Sequence, residues 1–486
     1  MGSGRRTSLT ARDSRAGRVG KSSSRAKGSA RTPSGRVAPL YKRLPHGPHR
    51  LERGEVILNQ RARIHGAMVE AVAQGGYDGT SVKQVIGLAG VSRRSFYEQF
   101  ANKEECFLVT FDLIARRDIK QLRMAYLAAS GSLEERAGAA FKRFAKMMED
   151  DRNASILLLL ETQRSGPAGV LRLRKAAGAC EQMLARSFAE SRTTVPLPTP
   201  IVRGIAGGLH GIASAHLREP AAGGRASAKL AEEMLEWTLL FQTPAAADLS
   251  ERMAAGLTAR MREIASASGH KLGDAEAPSR DERTRLLQGI LRLMTREDYQ
   301  TLSAPQIADE ANVSVDAFCE LFVDKQECFL AAIDMIGDEL LAIAADPDLV
   351  SDDWPRAVRQ VLSELMRYLS DHPLQARTLA QEAFLAGTEA LERTIELAQS
   401  IATLLIEGAP TEARGRYTAD AVAGAIWHTI RCQVTGGRIE LLAALSDHLT
   451  YIVLAPHIGA DAAVEIVTEE RRPSCDACAT GVPQST

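Results

Sequence analysis

The segment Ser92-Arg93-Arg94-Ser95-Phe96-Tyr97 gathers two guanidiniums, two hydroxyls and a phenol within six residues. An arginine carries a rigid fork of donors that pairs bidentately with phosphate or with guanine O6 and N7. Such groups recognise an anion or a base edge; they are not a nucleophile with its base. Phe96 and Phe100 lie four apart and share the inner face of one helix, which leaves Arg93, Arg94 and Tyr97 outside. Two cations in the first turn oppose the positive end of the helix dipole, so a functional use is expected of them. The stretch AGVSRRSFYEQFANKEECFL, Ala89–Leu108, recurs 222 residues later as ANVSVDAFCELFVDKQECFL, Ala311–Leu330. There Val315, Asp316 and Cys319 stand where the first copy has Arg93, Arg94 and Tyr97.

Local pattern places these residues on short helices. Ile57, Ile64, Met68, Ala71 and Val72 have helical spacing over 57–75, and the GGYDG run stops that helix. Ser81 begins a second helix with Gln84 at the capping-box position; its inner residues are Val82, Val85, Ile86 and Ala89, and Gly90 ends it. Ser92 caps a third helix that runs through Gln99. Asn102 caps a fourth, with Glu105 three residues on. Two short helices joined through a glycine turn are a helix-turn-helix pattern, whose second helix enters the major groove by its N-terminal end. Val85, Ala89, Val91, Phe96 and Phe100 form its expected small core.

At 486 residues the chain exceeds one ordinary core, and its Ala- and Leu-rich composition without strand-like alternation predicts an all-α protein. Arg61 to Asp112 aligns without a gap onto the second copy, through Arg61/Arg283, Arg63/Arg285, Tyr77/Tyr299, Phe96/Phe318, Phe100/Phe322, Lys103/Lys325 and Cys106/Cys328. A weaker echo sets GLHGI at 208–212 against IWHTI at 426–430, pairing His210 with His428. The predicted organisation is a disordered basic arm (1–50), a helix-turn-helix domain (51–106) and a helical domain (107–245). A linker with a helix (246–280), a degenerate helix-turn-helix (281–328), a second helical domain (329–470) and a flexible tail (471–486) follow. Net charge is zero, yet residues 1–50 hold 13 Lys/Arg and one acid, Asp13, a distribution suited to a polyanion. Seven scattered cysteines fit a reducing cytosol, and the purely apolar runs, such as Ile156–Leu160, are too short to span a bilayer. The arm has no apolar stretch of a signal peptide. Cys475 and Cys478 form a lone CxxC with no second pair, read as incidental tail thiols. No catalytic constellation, metal site or cofactor motif is expected, so the chain reads as a non-enzyme.

The run GYDGTSVKQVIGLAGVSRRSFYEQFANKEECF resembles the DNA-binding domain of the TetR family of bacterial regulators over about 50 residues. The resemblance implies two tandem units, each a three-helix DNA-binding domain followed by a helical ligand-binding and dimerisation domain. In the first unit the latter's helices are expected near 107–127, 132–150, 153–164, 167–191, 200–217 and 225–243. Carried over by position, Arg93, Arg94 and Ser95 meet bases or nearby backbone. Ser81, Tyr97 and Lys103 meet phosphates, Ser92 belongs to the same DNA-binding face, and Gly90 makes the turn. The implied partners are a double-stranded operator, a small-molecule effector in an apolar pocket within 107–243, and a pairing partner; the implied place of action is the bacterial cytoplasm, away from membranes. Residues 61–114 carry six basic and six acidic side chains, whereas 283–336 carry five and nine. The second copy is therefore expected to keep the fold and lose DNA binding, although Asp316 accepting from a cytosine amino group is the opposing possibility. It is expected to serve as an internal pseudo-dimer partner, alone or beside a homodimer, through helices 200–217 with 225–243 and 416–437 with 438–455. The small residues of GGLHG (207–211) permit close approach, and His210 and His428 read as interface or core histidines. The first reading is a transcription regulator, a repressor relieved by its effector; the alternative is a ligand-binding or scaffold protein without DNA binding.

Overall fold

The computed structural model describes residues 53–190, 197–219, 224–242, 246–267, 281–297, 299–349, 353–384, 386–410 and 418–469. The basic arm and the Cys475–Cys478 pair lie outside these residues. Among the described residues there is no strand. The first unit comprises α1 (Arg53–Gly79), α2 (Val82–Ala89), α3 (Arg93–Tyr97), α4 (Lys103–Ala128), α5 (Leu133–Asp150), α6 (Arg152–Ile156), α7 (Pro167–Glu190), α8 (Thr199–Arg218) and α9 (Gly224–Leu239). A connecting helix, α10 (Ala246–Ala267), follows. The second unit comprises α11 (Glu282–Leu293), α12 (Ala304–Ala311), α13 (Val315–Leu321), α14 (Lys325–Ala344), α15 (Trp354–Asp371), α16 (Pro373–Ala380), α17 (Thr388–Glu407), α18 (Thr418–Thr435), α19 (Ser446–Ile458) and α20 (Ala460–Thr468).

Several boundaries differ from the sequence pattern, each for a local reason. Helix α1 continues past residue 75, but Gly76 sits at φ 69°, ψ 173° and kinks it. Helix α3 ends at Tyr97 rather than Gln99. The helix expected over 153–164 breaks into α6, one π turn (Leu157–Glu161) and a 3-10 turn (Thr162–Ser165). The hydroxyl of Thr162 donates to the Leu157 carbonyl five residues back at 2.7 Å, which favours the wider turn, and Gly166 at φ 84° ends the segment. The segment expected as one helix over 438–455 is a 3-10 turn (Ile439–Leu445) followed by α19. By length and mean hydropathy (1.3) Ile439–Ile458 would pass for a membrane span, but 72% of that window is buried against the rest of the fold, as befits a core element.

Two hydrophobic cores form among the described residues. The first holds α1–α3, the N-terminal half of α4, and Ala154, Leu157 and Leu173 beneath them. The second runs through the remainder of the first unit, all of the second unit including Phe318 and Phe322 of its helix-turn-helix, and Leu249 and Met253 of α10. The second helix-turn-helix is thus continuous with the main core, whereas the first has a core of its own.

The tightest helix pair joins the units. Helix α8 lies along α18, rather than chiefly against its own neighbour α9. A Cβ placed on Gly207 would come within 2.4 Å of the Gly424 carbonyl oxygen, and one on Gly211 within 2.1 Å of the Asp420 carbonyl oxygen. Only hydrogen at these positions allows the backbones to meet. Around the pair, α19 places Ile452 over Gly204, and Trp237 of α9 lies against Gly208 while donating its indole N–H to the Ile205 carbonyl at 3.0 Å. Tyr451 of α19 donates to the Phe241 carbonyl at 3.3 Å, their rings 5.9 Å apart. Over-packing of this kind costs about 1–3 kcal/mol. Gly207→Val is therefore expected to lower unfolding stability by about 3 kcal/mol in a urea titration, while Gly256→Val, where a Cβ meets open space, leaves it within about 0.5 kcal/mol. Equal midpoints for the two variants would show that α8 and α18 do not meet.

Candidate nucleic-acid interface and the junction beneath it

The turn before α3 is built from the residues its sequence demands. Gly90 adopts φ 60°, ψ 42°, and the following Val91 N–H returns to the Ile86 carbonyl at 3.2 Å. Ser81 Oγ accepts from Gln84 N at 3.2 Å and Ser92 Oγ from Ser95 N at 3.0 Å; both serines remain exposed. Ser95 is half-buried and its hydroxyl lies 2.9 Å from that of Ser92. Phe96 and Phe100 are buried with rings 5.7 Å apart, over Val85 and Ala89, and Val91 packs at the edge. This anchoring turns the opposite face of α3 outward. Arg93 lies over the Tyr97 ring at 5.6 Å, and Tyr97 is 44% exposed. Arg94, its side chain 89% exposed, donates to Glu98 one turn on at 2.9 Å. An exposed pair of that kind contributes only a few tenths of a kcal/mol and is easily exchanged for a phosphate or a base. Lys83 in the first turn of α2 is also exposed.

Lys103 is placed differently from the other expected contacts. Its ammonium donates to the Tyr77 carbonyl at 3.0 Å and sits 4.2 Å from the centre of the Tyr77 ring. In the second unit Lys325 donates to the Tyr299, Gln300 and Leu302 carbonyls and lies 4.8 Å from the Tyr299 ring. Other repeated pairs behave alike. Arg63 caps the α2 C-terminus through the Ala89 and Gly90 carbonyls, and Arg285 reaches the Asn312 carbonyl at 3.1 Å. Arg61 lies over Phe100 and Arg283 over Phe322, at 5.3 and 5.7 Å. Asn312 takes Gly90's left-handed conformation at φ 51°. These matching residues hold the fold, whereas Val315 (40% exposed), Asp316 and Cys319, which replace Arg93, Arg94 and Tyr97, lie on the exposed face of α13.

Beneath the first helix-turn-helix, buried Glu161 of the π turn accepts from the Tyr77 N–H at 2.8 Å, just past the Gly76 kink. Its other oxygen accepts from Arg164 at 2.9 Å, and Arg164 also reaches Glu392 on α17 of the second unit. Thr388 at the start of α17 donates to Asp78. The second unit therefore touches the end of α1 directly and through Arg164. Neither link has a sequence signal, since each depends on the π turn and on the docking of the units.

A cleft of about 470 Å³ lies at this junction, lined by Glu161, Arg164 and His210 from one side and Glu392, Asp420 and Arg431 from the other. A cavity of about 180 Å³ is walled chiefly by the first unit, with Phe111, Phe141, Phe144, Leu173 and Met183. His210, His428 and Arg431 border both. Burial, with the nearby Arg431 and His428 charges, holds the His210 imidazole down to about 3, so it is neutral. Its Nε2 is 3.4 Å from Gln163 and 3.5 Å from Ser214. Burial also works against protonation of His428, but hydrogen bonds to Cys432 and Glu181 outweigh it and hold the imidazole above its usual range. Arg431 packs over the Phe384 ring at 5.4 Å, and burial weakens its hold on its proton.

Residues 66–110 match the family model described as bacterial regulatory proteins, tetR family. No curated protein matches the chain. Among solved structures, the fatty acid degradation regulator FadR from Bacillus halodurans is similar at 20% identity, over 36% of this chain and 96% of that one, with a TM-score of 0.32. FadR from Bacillus subtilis, solved in complex with stearoyl-CoA, is similar at 18% identity, over 36% and 96%, with a TM-score of 0.31. A TetR-family regulator from Marinobacter aquaeolei is similar at 18% identity, over 38% and 96%, with a TM-score of 0.32.

The geometry around the two lysines makes a direct expectation. Lys103→Met and Lys325→Met each remove a charged donor from a carbonyl and should destabilise by about 1.5–3 kcal/mol, measured by denaturant unfolding of the full chain. A neutral result at both positions would mean that these ammonium groups do not hold the fold.

Proposed function

We propose that this chain, whose residues 66–110 belong to the TetR family of bacterial regulators, is a DNA-binding transcription regulator with one reading head per chain. The observation that carries this reading is the contrast between two equivalent frames. In the first, Arg93, Arg94 and Tyr97 stand exposed over a packed Phe96–Phe100 base; in the second, Val315, Asp316 and Cys319 occupy those places. Arg93, Arg94 and Ser95 read bases or adjacent backbone, and Ser81, Ser92 and Tyr97 lie where phosphates pass. Lys103 contributes through the fold, by holding Tyr77. The second unit, packed along α8 through α18, acts as the internal pairing partner and carries a head that does not read. An operator with two half-sites about 34 Å apart then requires two chains.

Control runs through the junction. A small molecule that enters the apolar cavity with an acidic end toward Arg431, or fills the cleft, perturbs the Glu392–Arg164–Glu161 bridge. That bridge ends on the Tyr77 N–H at the kink of α1, so its rearrangement tilts the first helix-turn-helix. The chain acts in the bacterial cytoplasm as a repressor that an effector releases.

Two measurements test this. In a mobility shift on the protein's own upstream DNA, Arg93→Ala/Arg94→Ala should weaken binding by at least about a hundredfold, since each good Arg contact contributes about 1–3 kcal/mol, while Asp316→Ala leaves it unchanged. A loss on Asp316→Ala, with little from the arginines, would assign reading to the second head. Arg164→Met should speed amide hydrogen exchange across residues 76–103 without altering exchange in 299–325; unchanged protection in the first segment would remove the bridge from the mechanism.

A further inference from the structure

We propose that Glu181, His428 and Cys432 form a binding site for a divalent cation of the zinc class, shared between the two units. Glu181 comes from α7 of the first unit, and His428 and Cys432 sit one turn apart on α18 of the second. Their donor atoms all lie within 4.8 Å of one another. His428 Nε2 is 2.8 Å from Glu181 Oε1 and 3.6 Å from Cys432 Sγ. Around a tetrahedral zinc, with bonds of about 2.0–2.3 Å, neighbouring N, O and S ligands stand about 3.4–3.6 Å apart. The imidazole–thiol separation already matches. The carboxylate has to withdraw from the imidazole by about 0.6 Å, within the reach of a side-chain rotation.

The donor set is specific. A thiol with an imidazole selects zinc, copper or nickel over magnesium or calcium, which take oxygen ligands. Arg203 lies 3.7 Å from the other oxygen of Glu181 and orients it from behind. Arg203, with Arg174 and Arg431 nearby, opposes a second positive charge, so the site depends on both the carboxylate and the thiolate being ionised. Three protein ligands leave a fourth position open. Since His428 borders both the cleft and the apolar cavity, that position is within reach of a water or of a ligand held there. Metal at this point would tie α7 to α18 across the units, independently of whether the chain binds DNA.

The full chain carrying Cys475→Ser and Cys478→Ser, so that the tail thiols do not compete, is titrated with Co²⁺ as a spectroscopic stand-in. One Co²⁺ per chain is expected, with thiolate-to-cobalt absorption in the near ultraviolet that Zn²⁺ abolishes and millimolar Mg²⁺ does not. Adding Cys432→Ser should remove the band, and Glu181→Gln should weaken binding by at least about tenfold. Zn²⁺ should raise the Tm of the parent but not that of the Cys432→Ser chain, with both giving the same helical circular dichroism without metal. Absence of the band in the parent, or its persistence in Cys432→Ser, overturns the site.

Discussion

The structure depends on the close approach of α8 and α18. Gly207, Gly211 and Gly424 let two backbones meet where any side chain would collide with a carbonyl. Everything at the junction follows from that distance. It brings Glu181 to His428, seats α17 against the end of α1, and leaves the cleft between the units. The surrounding aromatic residues, Trp237, Phe241 and Tyr451, then close the pair with buried area and hydrogen bonds from the indole and the phenol.

The two helix-turn-helix segments separate what holds a fold from what the fold presents. Repeated residues make the same contact in both copies. Arginine lies over phenylalanine, arginine reaches the helix C-terminus, lysine holds the tyrosine carbonyl, and serine accepts from the amide three residues on. Of the positions that differ, Val315, Asp316 and Cys319 change the outward face of α13, while others, such as Met68/Ile290 and Phe111/Ile333, exchange one buried apolar side chain for another. The second segment has also gained its own surface pairs, Arg292 and Arg296 with Glu310, and shares a core with the regulatory helices. The first keeps a separate core that also takes in Ala154, Leu157 and Leu173 beneath it, with Glu161 as a buried polar link to Tyr77. A body with its own core can tilt as a unit; one merged into a larger core cannot do so without breaking it.

The polar groups at the junction fit that division. His210 is held neutral, His428 shares one nitrogen between a carboxylate and a thiol, and Arg431 is stacked on a ring between two cavities. In a low-dielectric setting such groups respond strongly to any charge placed among them. They line the same cleft as Arg164, whose partner Glu161 accepts from the Tyr77 N–H at the kink of α1.

What the sequence by itself determined is local. Serine, asparagine and glycine at their spacings set the caps and turns of α2, α3 and α4, and Phe96 with Phe100 decided which face of α3 looks outward, because these effects act within one or two helical turns. The duplication was legible for the same reason: where a cap, a turn or a ring contact recurs, the same residue or one of like conformational preference, such as Asn312 for Gly90, recurs with it. The tertiary structure decided the rest. Lys103 is expected at a phosphate from the sequence, and that its ammonium also donates to the Tyr77 carbonyl is visible only in the structure, since that acceptor lies 26 residues away. The π turn at Leu157–Glu161, the use of Glu161, and the meeting of Glu181 with His428 and Cys432, the first two 247 residues apart, have no periodic signature. The first two arise within the first unit and the third only where the two units dock, and their partners are set by distance in space rather than by spacing along the chain.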